Sequence, residues 1–178
     1  MEGPVLIEPT TFHDKRGFFF ESFNRQQFQT IIGRQVDFLQ DNVSYSRSQW
    51  TLHGLHFQKE PFVQAKLVSV IRGAALDVVV DLRRSSPDFG QHFSIRLSAE
   101  EGNQLFVPRG FAHGFMTLEP NTIFTYKVSN YYSPKHDCGI RFDDQTLGID
   151  WGADPKLFVL SNRDTQLPSF DPNKEYFA

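Results

Sequence analysis

The sequence predicts an all-β domain, a sandwich or barrel built from many short strands. Runs of β-branched and aromatic residues recur through the middle of the chain. Gly, Pro, Asn and Asp punctuate them at short intervals, as antiparallel strands joined by tight turns require. No internal repeat, low-complexity tract or linker breaks the pattern, so residues 1–178 read as one domain, long enough to bury a sizeable core.

Taken in order, Arg25 to Ile32 is expected to be helical, with Asn24 as its N-cap. Strands are expected over 67–71, 75–82, 92–97, 104–107, 112–118 and 122–128. Turn signals stand between them at Arg72-Gly73, Ser85-Ser86-Pro87, Glu101-Gly102-Asn103, Pro108-Arg109-Gly110 and Glu119-Pro120-Asn121. Asp154-Pro155 opens a further short turn or helix. Asp77 and Asp81 share strand parity and face one side. If that side is interior they need partners, for which His113 and Lys66 are candidates; otherwise one meets solvent near the strand end.

Composition excludes several function classes. The net charge is −3 and no basic block appears, so nucleic acid is not an expected partner. An anionic ligand would need a local basic pocket. Cys138 is the single cysteine, which rules out an internal disulfide and suits a reducing cytoplasm. The N-terminus lacks a basic region followed by an apolar run, so no signal peptide is expected. No apolar segment is long enough to span a bilayer, and no membrane partner is expected. Of the 19 Phe residues most should be core, leaving a few to line a cavity and stack on a flat ring such as a nucleobase.

The stretch from His53 to Lys66, HGLHFQKEPFVQAK, carries the chemistry. It sets His56 a short, strand-like distance before Lys66, with Gln58 and Gln64 between. Histidine is suited to taking a proton near neutral pH. A nearby ammonium stabilises the oxyanion formed when a carbon beside a carbonyl loses its proton. The pairing points to proton abstraction next to a ketone.

Further motifs follow in a fixed order. Asp14-Lys15-Arg16-Gly17-Phe18-Phe19-Phe20-Glu21 comes first, then Gln40-Asp41-Asn42-Val43-Ser44, Gly54-Leu55-His56-Phe57-Gln58 and Gln64-Ala65-Lys66. Ser86-Pro87-Asp88-Phe89-Gly90, Pro108-Arg109-Gly110-Phe111-Ala112-His113-Gly114-Phe115, Tyr126-Lys127 and Tyr131-Tyr132-Ser133-Pro134 complete the set. From about Val5 to Pro168 the chain resembles the dTDP-4-dehydrorhamnose 3,5-epimerase family. That resemblance implies a cupin-type jelly roll, a double-sheet β-barrel with a few short helices. It implies a homodimer working without metal or organic cofactor on a nucleotide-sugar, inverting carbons 3 and 5 of dTDP-4-dehydro-6-deoxy-D-glucose to give dTDP-4-dehydro-L-rhamnose. L-rhamnose for surface polysaccharide is the implied end use.

The resemblance also implies roles. His56 matches the general base, Asp164 the carboxylate that orients it, Tyr126 the acid on the opposite face of the sugar, and Lys66 the cation near the ketone oxygen. His113 and Asp77 match pocket residues that contact the sugar or hold Lys66. Arg16, Phe19 and Glu21 match an N-terminal arm that crosses to the second subunit. Gln40, Asn42 and Tyr132 match nucleotide contacts, and Arg163 and His53 belong to the same binding set.

One position departs from the family. The family reads Arg-Gly-Leu-His before the base; here the first residue is His53. Imidazole is shorter, mostly neutral at pH 7, and lacks the planar fork that grips phosphate. A single-centre epimerase on a related nucleotide deoxysugar is therefore the alternative reading. A metal-dependent cupin is more remote: Pro108 to His113 resembles part of a cupin motif, and His53, His56 and Glu60 are imaginable ligands. His53 and His56 have opposite strand parity, so both face one interior only across a bulge, for which Gly54 is the candidate position. A sugar-nucleotide binding module without catalysis is the third reading; it needs no aligned base and acid.

Overall fold

The computed structural model describes residues 3–177. Strands β1 (Val5–Ile7), β2 (Phe12–Asp14) and β3 (Gly17–Phe19) precede helix α1 (Arg25–Ile32). Then come β4 (Gln40–Ser46), β5 (Leu52–Gln58), β6 (Lys66–Arg72), β7 (Ala74–Asp81), β8 (His92–Ser98), β9 (Gln104–Val107), β10 (Phe111–Thr117), β11 (Thr122–Val128) and β12 (Asp137–Gly139). Two short 3₁₀ turns follow, Pro155–Leu157 and Asp164–Gln166. The expected strands and helix are all present, with ends shifted by no more than a residue. Asn24 caps α1 by accepting from the Gln26 and Gln27 N–H groups, and Gly33 ends it in the left-handed region at φ 69°.

The long strands form two antiparallel sheets of five. One runs β1-β9-β6-β11-β4, the other β12-β5-β10-β7-β8; β2 and β3 make a separate hairpin. The jelly roll is thus two packed sheets rather than a closed barrel. Between the sheets lies a core that includes Val68, Val79, Leu97, Leu105, Phe115 and Phe124. Helix α1 covers the back of the first sheet by burying Phe28 and Ile32 against Leu67 and Phe106. The back of the second sheet is covered by the chain after β12, which sends Leu147, Trp151 and Phe170 against Leu55, Phe57, Val78 and Val80. That coat has little regular structure, yet it removes a full layer of strand side chains from water, the dominant stabilising term.

Of the two readings left open for Asp77 and Asp81, the interior one holds, and the two carboxylates have different partners. Asp77 is fully buried and accepts from His113. Asp81, also buried, meets neither His113, Lys66 nor solvent: Arg83 and the Ser86 hydroxyl hold it. A turn arginine two residues on has the reach to satisfy a carboxylate at the strand end, and strand periodicity alone does not show that.

Candidate active site

Strands β4 and β5, from different sheets, meet through Ser46 and His53. A cavity of about 350 Å³ opens between these strands, within the usual range for small-ligand sites. Its first wall is β4, β6 and β11, which present Gln40, Asn42, Lys66 and Tyr126. Its second wall is β5, which presents His56 and Gln58, with Tyr132 and Asp137 at the rim. Each wall side chain points inward because strand residues alternate.

The β5 wall needs one irregularity. His113 pairs with His56 and Phe115 with His53, so two steps on β10 oppose three on β5. The extra residue re-phases the strand, and His53 and His56 come to the same side. Gly54 makes this possible: its φ is 113°, and a Cβ there would lie 2.7 Å from the Gly114 Cα and 2.8 Å from the His113 carbonyl oxygen. The bulge at Gly54 is therefore real, and parity no longer separates the two imidazoles.

His56 Nε2 lies 2.6 Å from Asp164 Oδ1. The carboxylate is buried while the imidazole keeps 29% of its surface open to the cavity. The Ser161 hydroxyl donates to Asp164 Oδ2, and the Asp164 N–H donates back to Ser161, so the turn holds the carboxylate rigidly. Burial raises the Asp164 carboxyl, but the His56 hydrogen bond and charge, with Ser161, outweigh it and leave the group below its ordinary value.

Behind the cavity stands a second imidazole–carboxylate pair, His113 Nε2 to Asp77 Oδ2 at 2.9 Å, both buried. Asp77 Oδ1 is buried with no hydrogen-bond partner. Burial pulls the His113 imidazole below its ordinary value, the Asp77 charge opposing and the Lys66 charge reinforcing this. Protein crowds the Lys66 ammonium, and that burial lowers it to about 8 against the attraction of Asp77 and Asp137. Burial, then the Asp137 charge, raises the Tyr126 phenol, which keeps it protonated at neutral pH.

At the rim, Asp137 ties two expected residues together. The Tyr132 hydroxyl donates to Asp137 Oδ2 at 2.9 Å, and Arg163 Nη1 sits 2.7 Å from the same oxygen. Gln40 donates to Asn42 Oδ1 at 2.7 Å and accepts from the Tyr132 N–H. Gln58 bonds the Phe62 and Tyr131 carbonyls and the Ser133 N–H, which fixes the loop carrying Tyr132.

Ten of the expected residues thus gather in or directly behind one cavity: His56, Lys66, Tyr126, Asp164, Gln40, Asn42, His113, Asp77, Tyr132 and Arg163. His53 lies on the same wall toward Phe115. Arg16, Phe19 and Glu21 do not reach this cavity within one chain. Arg16 is exposed and clamped to Asp14, Phe19 is exposed, and Glu21 accepts from Asn24 and Gln27 near α1. Sequence reasoning passed over Asp137, Ser161 and Ser46. Asp137 sits in a turn-like Lys-His-Asp with no periodicity to mark it, and the serines show their value only once the chain is folded.

Larger grooves exist. One of about 890 Å³ is lined by Arg34, Asp37, Arg83 and Arg109, another of about 530 Å³ by Pro9, Phe12, Phe19 and Phe23. Two more, of about 460 and 420 Å³, lie at the β2–β3 hairpin and beside Asp81 and His92. None of these sets a histidine against a tyrosine. Among the described residues no group of three or more His, Cys, Asp or Glu is arranged to hold a metal ion; Glu60 is exposed and His113 is committed to Asp77. Among the described residues no helix is long and apolar enough to cross a membrane.

Comparison with known proteins bears on the family and the fold. The family model for dTDP-4-dehydrorhamnose 3,5-epimerase matches residues 1–172. The dTDP-4-dehydrorhamnose 3,5-epimerase of Salmonella typhimurium is 47% identical over 167 residues, covering 94% of this chain and 90% of that protein. The crystal structure of the Bacillus anthracis enzyme, with TDP and PPi bound, superposes with a TM-score of 0.90 at 49% identity, covering 94% of both chains. The Legionella pneumophila dTDP-6-deoxy-D-glucose-3,5-epimerase, in complex with dTDP-4-keto-L-rhamnose, gives 0.87 at 38% identity and 94% of both chains. With two packed sheets and this extent of likeness, the chain belongs to the dTDP-4-dehydrorhamnose 3,5-epimerase family of isomerases.

Proposed function

We propose that the chain inverts carbons 3 and 5 of dTDP-4-dehydro-6-deoxy-D-glucose, giving dTDP-4-dehydro-L-rhamnose, through an enolate. One observation carries this reading: His56 and Tyr126 stand on different sheets across one cavity, with Lys66 lining the same space. The 4-keto group acidifies the hydrogens on its two neighbouring carbons. His56, oriented by Asp164, removes one of them. The Lys66 ammonium stabilises the charge gathering on the ketone oxygen, an effect of roughly 3–4 kcal/mol for a good donor. Tyr126 returns a proton from the other face, and the centre inverts. The raised Tyr126 phenol suits a proton donor, and the depressed Asp164 suits a carboxylate that stays charged beside an imidazolium.

Gln40, Asn42, Tyr132 and Arg163 form the nucleotide end. Arg16, Phe19 and Glu21 complete the site of a second subunit in a homodimer, working in the cytoplasm. The exposure of Phe12, Phe18 and Phe19 on the β2–β3 hairpin supports an arm that packs on another molecule. The departure at His53 favours one rival, inversion of a single centre.

Proton NMR in deuterated water with the dTDP-linked 4-keto sugar tests the reading. The hydrogens on carbons 3 and 5 should both wash out while the L-rhamno product accumulates. Loss of one signal alone supports the single-centre rival, and no exchange overturns both.

A further inference from the structure

The cavity is lined by the carboxamides of Gln40, Asn42, Gln58 and Gln64. A carboxamide has a donor end and an acceptor end, and only its neighbours decide which end meets a ligand. Here the backbone of residues 130–133 decides it.

Gln58 is the anchor, buried with 4% of its surface exposed. Its Nε2 donates to the Phe62 carbonyl at 2.7 Å and to the Tyr131 carbonyl at 3.1 Å. Its Oε1 accepts from the Ser133 N–H at 2.6 Å. Both of its N–H hydrogens are thereby engaged, so Gln58 has no donor to offer a ligand. Gln64 adds a second tie by donating to the Asn130 carbonyl at 2.8 Å.

Between these ties the Tyr132 N–H is aimed at Gln40 Oε1, 3.2 Å away. A backbone N–H only donates, so Gln40 turns its oxygen to the loop and its NH2 away from it. That NH2 donates to Asn42 Oδ1 at 2.7 Å. Asn42 thus has its oxygen engaged, and among the described residues nothing takes its NH2. Gln40 and Asn42 stand two apart on β4, so both side chains face the cavity. The loop therefore sets donors, not acceptors, toward the ligand. A nucleoside diphosphate presents chiefly acceptors, its phosphate oxygens above all. A carboxamide with its oxygen turned to them would repel them.

We propose that Gln58 is a positioning residue for the nucleotide end of the site: through residues 130–133 it fixes the Tyr132 N–H, and that N–H holds Gln40 and Asn42 with their donors toward the ligand. The inference rests on the reading of Gln40, Asn42 and Tyr132 as the nucleotide end, and adds the buried residue that sets their polarity.

The test is titration calorimetry of dTDP into the full-length protein, with steady-state kinetics on the dTDP-linked 4-keto sugar. Gln58→Met keeps the side chain's length and removes its three hydrogen bonds. It should weaken dTDP binding about tenfold and raise KM by a similar factor, while kcat changes less than about twofold. Asn42→Asp keeps the shape but removes the donor, and should also weaken dTDP about tenfold. In an Asn42→Ala background the further loss from Gln58→Met should shrink to about threefold or less, because the donor it positions is already gone. If Gln58→Met does not fold, Gln64→Met cuts the loop's other tie and takes its place in the same comparison. Equal losses in the two backgrounds, or Asn42→Asp binding dTDP like wild type, overturns the proposal. Wild type that does not bind dTDP overturns the nucleotide reading itself, not only the role of Gln58.

Discussion

His56 and His113 are cross-strand partners on β5 and β10, and each holds its own carboxylate, Asp164 for one and Asp77 for the other. The pairs differ in access. His56 keeps 29% of its side chain exposed, whereas His113 keeps 7%. Only the first of the two imidazoles lines the cavity.

His56→Ala should abolish turnover, a loss of at least about 10²–10⁴-fold, with the fold intact. Asp164→Asn should keep the hydrogen-bonding shape but remove the charge, so kcat should fall more than KM changes. Solvent exchange at the sugar carbons and circular dichroism check both. Near-wild-type exchange in His56→Ala would remove the base assignment.

Tyr126→Phe should leave the first proton exchange largely in place while product accumulation stalls. The phenol is needed only once the enolate must be protonated from the opposite face. Comparing hydrogen washout with product formation in one NMR time course separates the steps. Equal loss of both would mean that Tyr126 is not the acid.

Lys66 should set an alkaline limit. Its ammonium is needed charged, and its folded value is about 8, so kcat/KM should fall as pH rises through that region. Lys66→Arg should push the limb beyond the accessible range, at reduced activity. The stability sign is opposite. Between about 8 and 10.5 the unfolded lysine binds more proton than the folded one, so this group's contribution to stability rises with pH across that window. An alkaline limb unchanged in Lys66→Arg would assign it elsewhere.

Gly54→Ala should cost about 3 kcal/mol of stability, since the new Cβ meets backbone rather than a flexible side chain. It should also displace His53 and His56 together. Urea unfolding and an NMR titration of the histidine ring protons read the two effects. A variant with unchanged stability would show that the strand relaxes there without strain.

Much of this was legible in the sequence, for definite reasons. The strands at 104–107 and 122–128 and the helix after Asn24 follow from alternation, turn residues and a cap, all of them local signals. Motif order marked His56, Lys66 and Tyr126, and the family resemblance those motifs carry pointed to Asp164. The sequence named Gly54 as the place a bulge would have to sit, but local pattern does not carry whether the strand is re-phased there, because a bulge adds a residue without changing composition. Nor does it carry the pairing of Asp81 with Arg83, or the place of Asp137, which depends on β12 lying beside β5. The coat after β12 was the least legible part. It holds by scattered aromatic anchors rather than by any period.

That coat supplies Asp164, which is separated from its imidazole by 108 positions in the chain. Every strand of the two sheets has been made by Gly139, so a polypeptide still emerging at that stage already has all its strands while its histidine lacks an anchor. On the proposed roles, the base gains its orienting carboxylate only when the last part of the chain folds into place.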